Sequence, residues 1–254
     1  MAVPLLCPEW HAPAGVQAAM SLRGGGVSAG PWSSLNLGVA VGDDPSAVLQ
    51  NRARFASALG ARPVWLRQVH GVNVLRLSAG CTAQPGEPAD AAWTDEPGIA
   101  CTVQAADCLP VLLATLDGRA VAAAHAGWRG LAAGVLEATL VALQRGVGAQ
   151  PSGVVAWLGP CIGARQFEVG ADVLHAFGQA ALQASPSIFV ARRRPDGSAR
   201  WLAHLQQLAR LRLAAAGVLH ISAAEACTVE DESRFFSFRR DGVTGRMAAA
   251  VWRG

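Results

Sequence analysis

His70, Cys108 and His125 are the residues of this chain whose types and spacing can do metal or nucleophile chemistry. Asp117-Gly118 separates two apolar runs, 110–116 and 120–125, and is the strongest hairpin signal in the sequence, read as a type I′ turn. In that register Leu116 pairs with Arg119, Pro110 with His125, and Cys108 stands opposite Gly127. Cys108 and His125 therefore share the open end of one hairpin as diagonal neighbours, about 7 Å apart. That spacing suits two ligands of one metal. It suits equally a Cys–His nucleophile pair, and a buried thiol beside a hydrogen-bonded histidine would meet it too. His70 precedes Gly71 between two strand-like runs, 64–69 and 72–77, so a tight bend displays it. Three N/S donors without an evident fourth describe an open zinc site that keeps a position for water or substrate, whereas a structural site shows four ligands, often in close pairs. Cys161 is the one donor that would close such a site.

Two arginines stand near these donors. Val48, Arg52, Phe55 and Leu59 step by four, three and four, which puts Arg52 on the apolar stripe of a helix. Either its stem snorkels and its head pairs with a carboxylate, or its guanidinium points inward to hold an anion in its bidentate fork. Arg129 follows His125 and precedes a helical run, where a helix N-terminus adds backbone donors for a phosphate. Asp107, next to Cys108, is a proton-shuttle candidate or an orienting partner for a metal-bound histidine. All 21 cations are Arg, and the chain has no Lys and no Tyr. Schiff-base chemistry, a P-loop lysine and a tyrosine acid/base are thereby excluded.

The elements that must position these residues read as a mixture. Val16–Ser21 is strand-like and leads into Gly24-Gly25-Gly26, a loop needing unusual backbone angles. Asp44-Pro45, the run 46–59 and Gly60 make a helix with cap, Pro at its first position and Gly stop. Strands are expected at 99–103, 110–116, 120–125, Val154–Leu158 and 247–252, and helices at 131–143, 171–182 and 201–216. Strict βαβ alternation is absent, which favours an α+β fold of mixed sheets over a Rossmann fold. The 254 residues, 52% hydrophobic and 15% charged, suffice for one sizeable core, read as a single domain over 1–254. No run of about 18 apolar residues is present, so no membrane span is expected, and the default compartment is the cytoplasm. With a net charge of +3 and no basic stripe, no nucleic-acid partner is expected; Arg192-Arg193-Arg194 before Pro-Asp-Gly reads as a solvated loop tip. Six cysteines without a C-x-x-C pair imply no disulfide framework, and those other than Cys108 read mostly as small buried hydrophobes.

A series of motifs, in order, identifies a resemblance. Gly25-Gly26-Val27-Ser28, Ser34-Leu35-Asn36-Leu37-Gly38, Asn51-Arg52, Gln68-Val69-His70-Gly71, Ala106-Asp107-Cys108-Leu109-Pro110 and His125-Ala126-Gly127-Trp128-Arg129-Gly130 come first. Gly159-Pro160-Cys161-Ile162-Gly163, Cys227-Thr228, Phe235-Phe236-Ser237-Phe238-Arg239-Arg240 and Thr244-Gly245-Arg246 complete the set. Together they closely resemble the YfiH-type family, long described as laccase-domain or polyphenol oxidoreductase proteins. The resemblance implies one α+β domain of packed mixed sheets flanked by helices, similar to cysteine-hydrolase-like folds. It also implies zinc, or in some reports copper, on His70, Cys108 and His125. Members are described as purine nucleoside phosphorylases acting on adenosine, inosine, guanosine and methylthioadenosine, with adenosine deaminase activity. Others are described as peptidoglycan-editing factors that remove a wrongly incorporated L-serine from a muropeptide precursor.

Six histidines and no His-x-His pair are too few for a multicopper centre, which counts against polyphenol oxidation. Phosphorolysis needs an anion site, a pocket for a flat base and electrostatic help for the leaving purine. Arg52 and Arg129 would hold phosphate, Phe235 or Phe236 would stack on the base, and Arg239 is a further substrate contact. Cys108, His125 and Asp107 form the catalytic set. Zinc would polarise an oxygen or activate water for deamination, although the usual deaminase signature, H-x-E with P-C-x-x-C, is absent. The editing reaction would use the same metal and arginines. The expected partners are small molecules, a purine nucleoside and phosphate, and the chain is expected to be a monomer or weak oligomer.

Overall fold

Period-two alternation in the strands dictates a layered architecture. In Met247–Arg253, Met247, Ala249 and Val251 face one way and Ala248, Ala250 and Trp252 the other, and both sets are buried. In Leu109–Thr115, Leu112 and Ala114 oppose Val111 and Leu113 in the same manner. Strands buried on both faces need a cover on each side. The computed structural model describes residues 3–82, 86–184 and 188–254. It shows two mixed sheets packed face to face, one of five strands and one of six, plus a small three-stranded sheet.

The five-stranded sheet runs, in spatial order, Leu5–Leu6, Val16–Ser21, Met247–Arg253, Ile99–Ala105 and Arg62–Trp65. The six-stranded sheet runs His220–Ala223, Val154–Leu158, Leu109–Thr115, Val121–Ala126, Ala91–Thr94 and Val74–Arg76. Between them lies a core that includes Met20, Val103, Met247, Leu112, Ala123 and Trp157. The helix Pro45–Leu59 covers the outer face of the first sheet through Phe55 and Leu59. The helices Val135–Val147 and Leu205–Ala215 cover the outer face of the second through Leu136, Leu140, Leu208 and Leu213. This α+β arrangement is the one expected.

The Pro45–Leu59 helix has the caps the sequence requires. Asp44 accepts from the Ser46 N–H, and Gly60 closes it in the left-handed region at φ 64°. Several other elements depart from expectation. The helix read over 131–143 is two, Trp128–Ala133 and Val135–Val147, because Gly134 at φ 103° breaks the run. The helix read over 201–216 begins at Leu205. Trp201 to Ala203 belong to the strand Ala199–Ala203, and His204 caps the helix by accepting from the Gln207 N–H. That strand pairs with Phe189–Arg193, so Arg192 and Arg193 lie on an exposed strand and only Arg194 enters the turn. The strand read over 64–69 stops at Trp65. Beyond it the Gln68 side chain donates to the Gln104 carbonyl and accepts its N–H, both at 2.8 Å, in place of a backbone ladder.

The hairpin turn departs as well. Its register holds, with Pro110 opposite His125 and Leu109 opposite Ala126. The turn itself is not type I′, which needs positive φ at both central residues. Gly118 is at φ 70°, whereas Asp117 is not among the positive-φ residues, and the turn closes between Thr115 and Gly118 at 2.9 Å. The Asp117 carboxylate accepts from the Thr115 hydroxyl at 2.7 Å and the Arg119 N–H at 3.1 Å, an Asx-type closure.

Candidate metal centre

Three chain segments converge at one end of the sheets. Cys108 immediately precedes the strand Leu109–Thr115, and Gly127 follows its partner Val121–Ala126. A Cβ on Gly127 would stand 2.9 Å from the Cys108 sulfur and 2.8 Å from Cδ2 of His70. Glycine is therefore required where the two ligands close over the strand end. The residue before Cys108, Asp107, is held at φ 89°, a conformation L-residues seldom adopt. Its carboxylate accepts from the Thr228 hydroxyl and the Arg239 N–H, both at 2.6 Å, and its carbonyl accepts from the Ile162 N–H at 2.9 Å. His70 is likewise left-handed, at φ 61°, on the exposed bend expected of it.

Asp90, which the sequence reading did not single out, lies behind both histidines and is fully buried. It accepts from the N–H groups of Val69, His70 and Gly71 at 3.0, 2.9 and 2.7 Å, and Nδ1 of His125 stands 2.8 Å from its Oδ1. A carboxylate flanked by alanines in an apolar run, with no water to solvate it, was the available signal.

The donor atoms of His70, Cys108 and His125 lie within 4.8 Å of one another. Sγ of Cys108 is 3.7 Å from Nε2 of His70, and the two imidazoles meet edge to face with centroids 4.8 Å apart. Zinc bonds of about 2.0 Å to nitrogen and about 2.3 Å to sulfur, at tetrahedral angles, put ligand atoms about 3.5 Å apart. The three donors fit a divalent metal with small adjustment. Among the described residues no other His, Cys, Asp or Glu group is so arranged.

Electrostatics favours the ligand form of the thiol. Burial would raise the Cys108 pKa, but the charge and hydrogen bonding of His125 and His70 outweigh it and bring it down to about 6. Burial would lower that of His125, but the Cys108 charge and the Asp90 hydrogen bond raise it to about 9. Burial pushes Asp90 up, and its bonds from His125, Gly71 and Val69 more than reverse this. Cys101 and Cys161 are ordinary buried thiols, raised by burial, as expected of small hydrophobes. Cys7 is exposed, and Cys81 and Cys227 are half-buried, so the expectation fails for these three.

The three donors open onto a cavity of about 560 Å³, within the range of small-ligand sites. Arg52, Arg67, Arg129, Arg239 and Arg246 line it, with Asp107 the one acidic residue among the described residues of its lining. Arg52 is buried on its helix as its spacing implied. Its Nε donates to the Leu37 carbonyl at 3.0 Å and its guanidinium lies 4.1 Å from the Trp65 ring centroid. Burial lowers its pKa to about 10, which leaves it charged at neutral pH. Arg239 donates to the Gln166 and Glu168 carbonyls. Arg129 lies over the Trp128 ring at 4.4 Å, exposed, and no described residue accepts a hydrogen bond from its guanidinium. It belongs to the six-residue helix Trp128–Ala133 rather than to a turn ahead of a long one. Phe235 and Phe236 are both 0% exposed, packed in the core between the sheets. Neither can stack on a base. Phe238, from the same motif, is 57% exposed and lines the cavity.

The family model described as multi-copper polyphenol oxidoreductase laccase matches residues 17–254. The chain belongs to that family. It is 49% identical over 247 residues to a Pseudomonas aeruginosa protein named purine nucleoside phosphorylase PA4543, covering 97% of each. It is 46% identical over 255 residues to the Escherichia coli K12 protein named purine nucleoside phosphorylase YfiH, covering 98% of each. Among solved structures it is similar to Neisseria meningitidis protein NMB0706, with TM-score 0.88, 43% identity and 98% of each chain covered. A Bacillus licheniformis protein titled YfiH gives TM-score 0.89 at 29% identity, covering 100% of this chain and 97% of that one. The family description speaks of several coppers, whereas the described residues here assemble one three-donor group.

Proposed function

We propose that the chain is a purine nucleoside phosphorylase using one zinc held by His70, Cys108 and His125. The observation that carries this reading is the placement of an open three-donor group on the wall of a cavity with five arginines. Relatives named purine nucleoside phosphorylase at 41–49% identity support it. Adenosine, inosine, guanosine and methylthioadenosine are the proposed substrates. Zinc, when bound, supplies Lewis acidity toward a substrate oxygen.

In phosphorolysis a phosphate oxygen bonds to the sugar C1′ as the C1′–N9 bond breaks. The bonding pair leaves with the purine, which takes up a proton. The chain lacks Lys, so arginines are the permanently charged side chains available to hold the phosphate. Arg129, with its donors uncommitted to the described residues, is the principal phosphate ligand. Arg52 and Arg239 add positive potential from positions fixed by their own carbonyl contacts. Phe238 offers the exposed ring on which a base would stack, in the role the sequence reading gave to Phe236. Asp107, with its oxygens engaged by Thr228 and Arg239, orients the bend that presents Cys108. Adenosine deamination is proposed as a second reaction of the same cavity: water adds at the purine C6, the bond from C6 to the exocyclic amine breaks, and ammonia leaves as inosine forms.

Incubating zinc-loaded protein with adenosine, with and without phosphate, tests the proposal. Adenine and ribose-1-phosphate should form only when phosphate is present, with inosine as a side product. Inosine without adenine would leave deamination alone. No nucleoside turnover, together with serine release from a muropeptide precursor, would replace the proposal with the editing reaction.

A further inference from the structure

We propose that Asp90 presets the metal site, fixing the ring orientation of His125 and the bend that carries His70, so that both imidazoles face the ligand position before a metal arrives. This rests on the reading that His70, Cys108 and His125 hold a divalent metal. Asp90 is a positioning residue here and touches no substrate.

An ionised carboxylate only accepts hydrogen bonds. The Asp90 oxygen 2.8 Å from Nδ1 of His125 therefore requires the ring proton on Nδ1. With Nδ1 held in this way, Nε2 is the nitrogen left for a metal, which takes the place of any proton there. The His125 N–H also donates to the Asp90 carbonyl at 2.7 Å, so ring and backbone are held by one residue. On the other side, three consecutive N–H groups converge on the same carboxylate. They hold His70 at φ 61°, a conformation that non-glycine residues seldom adopt. Oδ1 receives both the His70 N–H and Nδ1 of His125, so the two ligands are coupled through a single atom. Full burial is expensive for a carboxylate unless its oxygens are satisfied. Here donors from both ligand segments satisfy them.

A merely structural Asp90 and a ring-orienting one respond differently to Asp90→Asn. The amide keeps the size and retains one oxygen for the backbone donors. Its NH2 group, set against Nδ1 of His125, drives the ring proton to Nε2 and blocks the metal-binding lone pair. Zinc affinity, read by competition with a chromophoric chelator, should fall about 10- to 100-fold in Asp90→Asn, while the melting curve of the metal-free variant stays cooperative. Ring-nitrogen NMR of the zinc-loaded wild type should place the His125 proton on Nδ1, a reading independent of how the variant folds. A folded Asp90→Asn protein that binds zinc as tightly as wild type would overturn the inference, as would a wild-type His125 proton on Nε2. Wild type that binds no zinc would overturn the metal reading itself, and this inference with it.

Discussion

At the scale of single residues, three positions separate binding from folding. Gly127 lies opposite Cys108 in the hairpin, where a methyl group would meet both the sulfur and the His70 ring. Gly127→Ala should cost about 1–3 kcal/mol through overpacking and displace the two ligands. The expected outcome is a folded protein with reduced zinc content, checked by metal analysis beside a thermal melt. Arg129 and Arg52 should behave oppositely. Arg129→Ala removes an exposed side chain, so stability should change by no more than about 0.5 kcal/mol. Losing a charge-assisted bond to phosphate, worth about 1.5–3 kcal/mol, should raise the KM for phosphate tenfold or more. Arg52→Ala empties a buried position against Trp65 and the Leu37 carbonyl. It should lower the melting temperature measurably, a loss of about 1–3 kcal/mol.

At the scale of elements, the motif from Phe235 to Arg240 divides its aromatics between two jobs. Phe235 and Phe236 fill the core between the sheets, and Phe238 starts the short helix Phe238–Asp241 at the cavity. Phe236→Ala should cost about 3–5 kcal/mol. Phe238→Ala should leave the melt nearly unchanged and raise the KM for the nucleoside, separable by kinetics beside calorimetry. Sequence alone did not allot these roles, because three aromatics in four residues give no period to tell core from surface. The hairpin was legible for the contrary reason. Two apolar runs around Asp117-Gly118 admit one register that buries both, and a turn of another type leaves that register intact. The helix limits at Gly134 and Leu205 were missed because apolar residues recur at helical spacing through 131–143 and 201–213, and tertiary pairing with Phe189–Arg193 claimed Trp201 for a strand.

At the scale of the whole molecule, the metal donors come from the six-stranded sheet and the bend before it. Arg52 and Arg246 reach the same cavity from the opposite layer, on the helix Pro45–Leu59 and ahead of the strand Met247–Arg253. The site therefore depends on the packing of the two sheets. The ligand trio was legible through the hairpin and the family motifs; Asp90 was not, because its partners lie 19 to 35 residues away in sequence and only the fold joins them. On the proposed function, one metal on one His–Cys–His group supports phosphate-dependent nucleoside cleavage. Titrating zinc into metal-free protein while measuring bound metal and ribose-1-phosphate formation tests it most directly. Activity should rise with occupancy, level off at about one zinc per chain, and be lost together with the metal in Cys108→Ala. Several metals bound per chain at full activity, or Cys108→Ala keeping both its zinc and its turnover, would contradict it.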